Sequence, residues 1–193
     1  APVLTAAEAT AVSKELGEGR NLQPYPGSIT SLQQSILFLG RRGDEKFLGI
    51  MATTGAVFEK FDGDTARVSI GDTEVLVKVA PLSTANAAAL RHVLPFLAPQ
   101  TLGLRKSAGC GDRLGLATPG HLRAVRQHTM LPILAQQSIR EMERTERTPK
   151  DVVNDGTWGV LQEGWREGYG ADADHLKNTH DIDVCVASGF TFY

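Results

Sequence analysis

MLPILAQQS at residues 130–138 is an apolar, strand-like run that leads into a helix-type segment, and the same order occurs on both sides of it. The neighbouring runs are LGLRKSAG at residues 102–109 and ADADHLK at residues 171–177. Short strands that alternate with helices are typical of βαβ units and a parallel sheet. The second half of the chain is therefore predicted to have an α/β fold.

Threonines mark the starts of the three helical segments. The starts are Thr118-Pro119, Thr148-Pro149 and Thr179. A threonine cap followed by proline satisfies free amides of the first turn and presets φ, so we predict N-caps at Thr118 and Thr148. SGFTFY at residues 188–193 predicts the beginning of a fourth strand. A small open sheet and half of a barrel both fit this pattern.

The first hundred residues have a different, strand-rich texture. Four β-type runs lie within residues 35–79, separated by turn-type clusters: SILFLG, KFLGIMAT, ARVSI and TEVLVKV. They predict three or four antiparallel strands. Helices are predicted at residues 5–17 and 83–97, and Pro95 should end or kink the second of them.

Composition and charge narrow the class of function. The chain has 193 residues, of which 41% are hydrophobic, and its net charge is -2, so it can fold as two small domains. We predict a small α+β domain at residues 1–99 and a parallel α/β domain at residues 100–193. Because lysine and arginine do not cluster, the chain lacks the basic surface of nucleic-acid binders and polybasic membrane anchors. A small-molecule partner is expected instead.

Hydropathy and cysteine usage bear on the compartment. No apolar run approaches the roughly 20 residues that are needed to cross a bilayer, so no membrane association is expected. Cys110 and Cys185 fit neither a disulfide framework nor the paired spacing of a zinc site. Two free thiols predict a reducing, cytoplasmic location.

Three polar clusters follow the three predicted parallel strands. Reactive side chains collect at the carboxyl ends of such strands, because the loops converge there and helix N-termini point their amides at the ligand. Asp112 and Arg113 follow the first strand within a glycine-rich stretch, where the backbone can approach an anion and Arg113 can grip a carboxylate or phosphate. The alternative is a local turn at these two residues with no ligand.

Gln136, Gln137 and Ser138 follow the second strand. Buried amides without partners cost about 1–3 kcal/mol, so two adjacent glutamines at a strand end suit the hydroxyl groups of a sugar. The alternative is that one of the glutamines pairs with the neighbouring backbone.

DADHLK, after the third strand, is dense in charge. Asp174 could act as a base, Lys177 could polarise a carbonyl oxygen, and His175 could carry a proton or bind a metal. In a regular strand Asp172, Asp174 and Leu176 share one face, while His175 and Lys177 share the other. The alternative is an ion-paired strand edge on the surface.

Several long strings, in order, carry a family resemblance. They are GLRKSAGCGDRLGLATPGH at 103–121, ILAQQSIREMERTERT at 133–148, NDGTWGVLQEG at 154–164 and GADADHLK at 170–177, followed by GFTFY. They resemble the tagaturonate epimerase family of hexuronate catabolism over about residues 100–193. The resemblance implies a metal-dependent enzyme on a TIM-like barrel that interconverts D-tagaturonate and D-fructuronate by inverting C3.

The resemblance also implies roles for the polar clusters. The expected catalytic residues are Asp174, Ser138 and Lys177, and the expected substrate-binding residues are Asp112, Arg113, Gln136, Gln137 and His175. A divalent metal ion of unknown identity is the expected cofactor, and a sugar acid is the expected small-molecule partner. Because C3 lies next to the C2 ketone, its proton becomes acidic when a cation stabilises the enediolate oxygen.

Members of this family are much longer than 193 residues. The resemblance therefore implies a small N-terminal α+β domain followed by the first four β-strands of a truncated TIM-like (β/α) barrel, with little or no epimerase activity on its own. Two other functions fit the same residues. One is a barrel aldolase or lyase that acts on a ketose, with Lys177 forming a Schiff base. The other is a non-catalytic carbohydrate-binding domain.

Overall fold

The computed structural model describes residues 23–53, 55–70 and 73–193. The helix predicted at residues 5–17 lies outside these ranges. The chain divides into two compact units, Ala1–Ala89 and Leu90–Tyr193. Strands and helices occur in both sequence halves, so the expected α/β class is correct. The predicted domain limits of 1–99 and 100–193 stay a prediction.

An antiparallel sheet forms the described part of the first unit. Its strands are β1 (Gln23–Pro24), β2 (Thr30–Leu32), β3 (Ser35–Arg42), β4 (Glu45–Ala52), β5 (Asp64–Ile70) and β6 (Thr73–Ala80). The strand order is β1-β3-β4-β6-β5, and β2 also pairs with β3. The antiparallel strands that the four β-type runs predicted are confirmed as β3 to β6.

Alternate side chains of this sheet form its core. The buried cluster consists of Ile36, Phe38, Met51, Val75 and Val77. Ile36 and Phe38 on β3 are two positions apart, as are Val75 and Val77 on β6, because side chains of a strand alternate between its faces. Gly49 lies opposite Phe38 across the β3–β4 pair, and a side chain at Gly49 would collide with the ring.

A buried lysine ties the short helix α1 (Gly55–Phe58) to the sheet. Lys78 on β6 is 5% exposed, and its Nζ donates to the carbonyl oxygens of Phe58 at 3.0 Å and Phe61 at 2.6 Å. These carbonyls lie at the end of the helix and just after it, where backbone oxygens lack helical partners. Lys78 therefore supplies donors to a helix end that the sequence alone does not cap.

The helix predicted at residues 83–97 is α2 (Thr84–Val93). The Oγ of Ser83 accepts the backbone N–H of Asn86 at 3.2 Å, which caps the first turn. The helix ends before Pro95, and a short 3-10 turn follows at Pro95–Leu97. The expectation that this proline interrupts the helix is confirmed, since proline lacks an N–H and clashes with the preceding turn.

The second unit alternates parallel strands with helices. Its elements are β7 (Ser107–Gly111), α3 (Thr118–Val125), β8 (Leu131–Gln136), α4 (Ile139–Arg144), α5 (Pro149–Glu163), β9 (Gly170–Ala171) and α6 (Thr179–Ser188). The strands are parallel in the order β7-β8-β9. The predicted βαβ arrangement is thus correct. The predicted fourth strand is reduced to a single parallel bridge between Asp172 and Phe192.

All three helices start where the threonine pattern predicts, but only one of the two predicted threonine caps forms. Thr148 caps α5 as predicted for a threonine before proline, and with Asp151 it forms a complete capping box. Helix α6 begins at Thr179, and its cap is Asn178. The predicted cap at Thr118 is wrong, because Thr118 is the first residue of α3 and the N-cap position is Ala117.

Helices cover one face of the parallel sheet. The buried cluster on that face consists of Ala135, Met142, Val152, Val153, Ala171, Ala173, Cys185 and Phe190. Gly159 of α5 allows close approach to α3, since a side chain there would collide with Thr118. Among the described residues, no helix combines the length and apolar character needed to cross a membrane.

Candidate active site at the carboxyl ends of the parallel strands

A cleft of about 630 Å³ lies at the carboxyl ends of the strands of the second unit. Its lining comes from the segments after β7, β8 and β9: Gly111, Asp112, Arg113, Leu114, Leu116, Ala117, Gln136, Glu141 and Asp174. The polar clusters after the three strands therefore come together. Of the predicted site residues, Asp112, Arg113, Gln136 and Asp174 line the cleft.

Asp112 organises the loop that enters α3. Its side chain is buried, and its carboxylate accepts five backbone N–H groups at 2.8–3.3 Å, those of Leu114, Gly115, Leu116, Ala117 and Thr118. The last two amides are those of the N-cap residue Ala117 and of Thr118, so Asp112 supplies acceptors at the start of α3. The predicted substrate-binding role of Asp112 therefore competes with a structural one, because both carboxylate oxygens already bind the loop.

The same loop packs closely on the helix layer. Gly115 has a φ of 73°, which glycine adopts without strain. A side chain at Gly115 would collide with Asp155, which forms an ion pair with Arg147. The tight turn therefore depends on glycine for both its backbone conformation and its packing.

Arg113 lies at the rim of the cleft. Its Nε is 2.5 Å from Oε1 of Glu141, and its side chain is 77% exposed. The exposed guanidinium can reach an anion in the cleft, but it would have to share its charge with Glu141. Arg113, the predicted contact for a substrate carboxylate, therefore lies at the cleft, and its guanidinium already binds Glu141.

Glu141 and Ser138 form a capping box at the start of α4. The Oγ of Ser138 accepts the N–H of Glu141 at 3.4 Å, and the Glu141 carboxylate accepts the N–H of Ser138 at 3.3 Å. The geometry gives the buried Ser138 hydroxyl this capping role, which sequence reasoning did not assign to it. The S-x-x-E spacing of residues 138–141 carried that signal, and Glu141 was missed as a cleft residue.

Gln137 is fully buried beneath the loop. Its Nε2 donates to the carbonyl oxygen of Arg113 and to Oγ1 of Thr145, both at 3.1 Å. Gln137 thus holds the loop after β7 to helix α4 and does not line the cleft. Pairing with the backbone was the alternative considered for one of these glutamines, and Gln137 makes that contact.

Gln136 faces the cleft at the irregular end of β8. The β7–β8 register shifts between Gly109 and Gly111, and Ala135 has a φ of 55°, an uncommon value for alanine. Ala135 packs in the helix-side cluster, whereas Gln136 lines the cleft on the other side. The Nε2 of Gln136 donates to Oδ2 of Asp172 at 2.7 Å.

The DADHLK segment is not a regular strand. Strand β9 ends at Ala171, and His175 has a φ of 56°. Leu176 consequently packs with Ala173 against the helix-side cluster, so the predicted shared face for Leu176 and Asp174 is wrong. A left-handed residue reverses the side-chain alternation that a continuous strand would impose.

Asp172 and Asp174 form the acidic part of the site. Burial raises the pKa of the Asp172 carboxyl, and the negative charge of Asp174 raises it further, while the Gln136 hydrogen bond and His175 oppose the shift. The Oδ1 of Asp174 is 2.5 Å from Nδ1 of His175, whose side chain is 78% exposed. Asp172 was not among the predicted site residues, although its place after a buried strand was a signal for it.

Lys177 lies apart from this group. It is exposed, its backbone N–H donates to Asp181 at 3.0 Å, and it does not line the cleft. Within the described ranges, no group of three or more histidine, cysteine, aspartate or glutamate side chains is placed to hold a metal ion. The residues that the structure describes therefore do not fit a complete metal centre.

Comparison with known proteins identifies the family. The family model described as tagaturonate epimerase matches residues 25–193. The chain belongs to the tagaturonate epimerase family. The resemblance seen in the second half of the sequence is thus confirmed, and the family match extends through the antiparallel sheet as well.

Two relatives of this family show how much of a member the chain represents. The tagaturonate/fructuronate epimerase of Thermotoga maritima is 53% identical over 108 residues, which are 56% of this chain and 22% of that protein. Crystal structures of the fructuronate-tagaturonate epimerase of Cohnella laeviribosi, one glycerol-complexed and one native, are 36% identical with a TM-score of 0.82. They match 96% and 95% of this chain, and the chain spans 36% of each.

Proposed function

We propose that this chain forms part of the active site of a sugar-acid epimerase that interconverts D-tagaturonate and D-fructuronate. The observation that carries the proposal is the convergence of polar residues from three successive parallel strands on one cleft, in a member of the tagaturonate epimerase family. The two relatives compared above bear the names of both sugars. A cleft with carboxylate, amide and guanidinium groups suits a sugar acid with several hydroxyl groups.

Asp174 is the proposed acid/base. D-tagaturonate and D-fructuronate differ at C4 of the 2-ketose, one carbon beyond the C3 position that the C2 ketone acidifies, so the expected inversion of C3 would not interconvert them. Retro-aldol cleavage of the C3–C4 bond reaches C4: a base takes the proton of the C4 hydroxyl group, and the electron pair of the C3–C4 bond passes into an enediolate at C2 and C3. Such a base needs access to the substrate, and Asp174 lines the cleft with its side chain partly exposed. The contact with Nδ1 of His175 holds the carboxylate in one orientation. Ser138 and Lys177 are weaker candidates, because the first is engaged in a helix cap and the second lies away from the cleft.

Substrate contacts are proposed for the groups around Asp174. Arg113 binds the sugar carboxylate in exchange for part of its interaction with Glu141, and Gln136 binds a hydroxyl group. Asp112 and Gln137 act by holding the loop and helix that carry these groups. Lys177 is a poor Schiff-base lysine, because such lysines are activated by burial or by a neighbouring cation, and Lys177 is exposed.

Inversion at C4 requires the enediolate left by the cleavage to add to the opposite face of the C4 aldehyde, whose oxygen then takes up a proton. Asp174 supplies the base of the cleavage step, and the chain spans 36% of the Cohnella laeviribosi epimerase, so we propose that the 193-residue chain alone has little or no epimerase activity. A divalent metal ion, which would stabilise the enediolate oxygen, remains a proposal; the described residues do not form its site, and no step above depends on it. The parallel order β7-β8-β9 and the Asp172–Phe192 bridge support a further proposal, that the second unit represents the first four strands of a TIM-like barrel.

A cytoplasmic location is proposed on the ground that both cysteines are free and buried.

Isotope exchange tests the proposed chemistry on the chain as it is. The enediolate left by cleavage of the C3–C4 bond can take up a deuteron at C3 and lose a proton from the same carbon before the bond reforms, so deuterium at C3 reports the cleavage. We expect the chain in D₂O to label C3 of D-tagaturonate while forming little D-fructuronate, as followed by proton NMR. Asp174→Asn should reduce the exchange rate about 100-fold or more, the usual contribution of a general base. Asp183→Asn, an exposed aspartate on α6, is the matched control.

Two results would count against the proposal. If the chain exchanges the hydrogen no faster than buffer does, the chain does not carry out the proposed chemistry. If the exchange is equally fast in Asp174→Asn, Asp174 is not the base. Rapid formation of D-fructuronate by the chain would support the epimerase and contradict the proposed dependence on further residues.

A further inference from the structure

The side-chain amide of Gln136 has a defined orientation, and its hydrogen bond shows why. Asp172 can only accept hydrogen bonds when ionised, so the NH₂ group of Gln136 must face it. The distance from Nε2 to Oδ2 of Asp172 is 2.7 Å, which is short for an N–H···O bond and typical of a charged acceptor. The amide oxygen then has to point in the opposite direction.

The amide oxygen of Gln136 lies next to two glycines of β7. A Cβ built on Gly109 would lie 3.2 Å from Oε1 of Gln136, and one built on Gly111 would lie 3.8 Å from it. Both glycines are exposed, and Gly111 and Gln136 line the cleft together. The amide oxygen therefore lies along a wall that has no side chains of its own, where a ligand can approach it.

The backbone next to Gln136 has an uncommon conformation. Ala135 has a φ of 55° and packs in the helix-side core, and the Gln136 side chain lies in the cleft. Uncommon backbone conformations persist where the surrounding structure fixes them, most often at functional sites. In this arrangement Gln136 lies next to Asp172.

We propose that Asp172 is a positioning residue that orients the Gln136 amide, so that Oε1 of Gln136 accepts a hydrogen bond from a hydroxyl group of the sugar-acid substrate. This inference rests on the proposed function for the identity of the ligand. In this inference Gln136 contacts the substrate directly, and Asp172 affects substrate binding only through Gln136. Asp172 is separate in this role from Asp174, the proposed base.

A double-mutant cycle on tagaturonate binding tests the proposal. Gln136→Met removes the acceptor at similar length and should weaken binding about five- to tenfold, the size of one hydrogen bond. Asp172→Asn lets the amide adopt either orientation and should weaken binding about two- to tenfold; the lower limit applies when half of the molecules keep the competent orientation. In the Gln136→Met background, Asp172→Asn should have no further effect. Gln127→Met, at an exposed position, is the control.

The side-chain amide resonances of Gln136 provide a measurement that needs no substrate. Asp172→Asn should move the hydrogen-bonded amide proton of Gln136, whereas Asp183→Asn should leave it in place. If the amide does not respond to Asp172→Asn, the orienting role is wrong whether or not tagaturonate binds.

The outcomes separate this inference from the proposed function. Failure of the unaltered chain to bind tagaturonate would contradict the proposed function, while the amide resonances would still decide the orientation. Binding by the unaltered chain that is equally strong in Gln136→Met, or an Asp172→Asn effect that persists in the Gln136→Met background, would overturn the inference alone.

Discussion

Asp112→Asn is the substitution whose effect the structure specifies in greatest detail. The Oδ1 of Asp112 accepts the N–H groups of Leu114, Gly115 and Leu116, and Oδ2 accepts those of Ala117 and Thr118. Asparagine can keep the three bonds to Oδ1, but its NH₂ group then faces two amide donors. Two hydrogen bonds to a buried charged acceptor are lost, each worth about 1.5–3 kcal/mol. We therefore expect the free energy of unfolding to fall by about 3–6 kcal/mol.

Urea unfolding followed by tryptophan fluorescence measures this loss. Both tryptophans, Trp158 and Trp165, are buried in the second unit, so their emission reports on the unit that contains Asp112. With a slope of about 2 kcal/mol per molar urea, a loss of 3 kcal/mol lowers the midpoint by about 1.5 M. Asp183→Asn, which also removes a negative charge from this unit but at an exposed position, should leave the midpoint nearly unchanged. A change of less than about 0.5 kcal/mol for Asp112→Asn would refute the view that its carboxylate holds the loop together.

Three further predictions follow from single contacts. Gly115→Ala should lower the urea midpoint more than Gly103→Ala. Both glycines have a positive φ, but only at Gly115 would the methyl group meet the Arg147–Asp155 ion pair beneath the loop. Equal losses for the two variants would contradict the packing argument. Asp174→Asn should lower the pKa of Asp172 in a carboxyl-carbon NMR titration. Burial is the largest cause that raises this pKa, and the negative charge of Asp174 is the second. An unchanged pKa would mean that Asp174 has no part in the shift. Lys78→Met should destabilise the first unit by about 1–3 kcal/mol, because the carbonyl oxygens of Phe58 and Phe61 lose the lysine as a donor. Hydrogen exchange of the β6 amides should be faster in this variant. Unaltered protection of these amides would show that the lysine does not hold the helix end.

Local patterns in the sequence predicted the parts of the fold that neighbouring residues control. The cap at Thr148 depends on residues within one helical turn, and it forms as predicted. The interruption at Pro95 depends on the chemistry of a single residue, and the helix ends before it. The antiparallel strands follow from β-type runs separated by turn-type clusters, which are visible in the sequence itself. The placement of polar residues after successive parallel strands was sufficient to anticipate a shared cleft.

Interactions between distant segments decided the details of the site. The helix after β7 begins at Thr118 and not after it, and the carboxylate of Asp112, six residues earlier, accepts the Thr118 amide. This contact depends on the path of the loop, which no local pattern records. The roles of Gln136 and Gln137 likewise depend on distant partners, since the first donates to Asp172 and the second to the carbonyl oxygen of Arg113.

The amino-acid sequence by itself determined the family, the order of strands and helices, and the strand ends where polar groups gather, because these depend on residue types and short spacings. The tertiary structure alone decided which of those groups face the cleft and which hold the fold together. The left-handed residue His175 changes the alternation of side chains after β9, and a second left-handed residue, Ala135, lies near the end of β8. Such conformations are stabilised by packing across the molecule, so their effect on the site becomes visible only when the chain is folded.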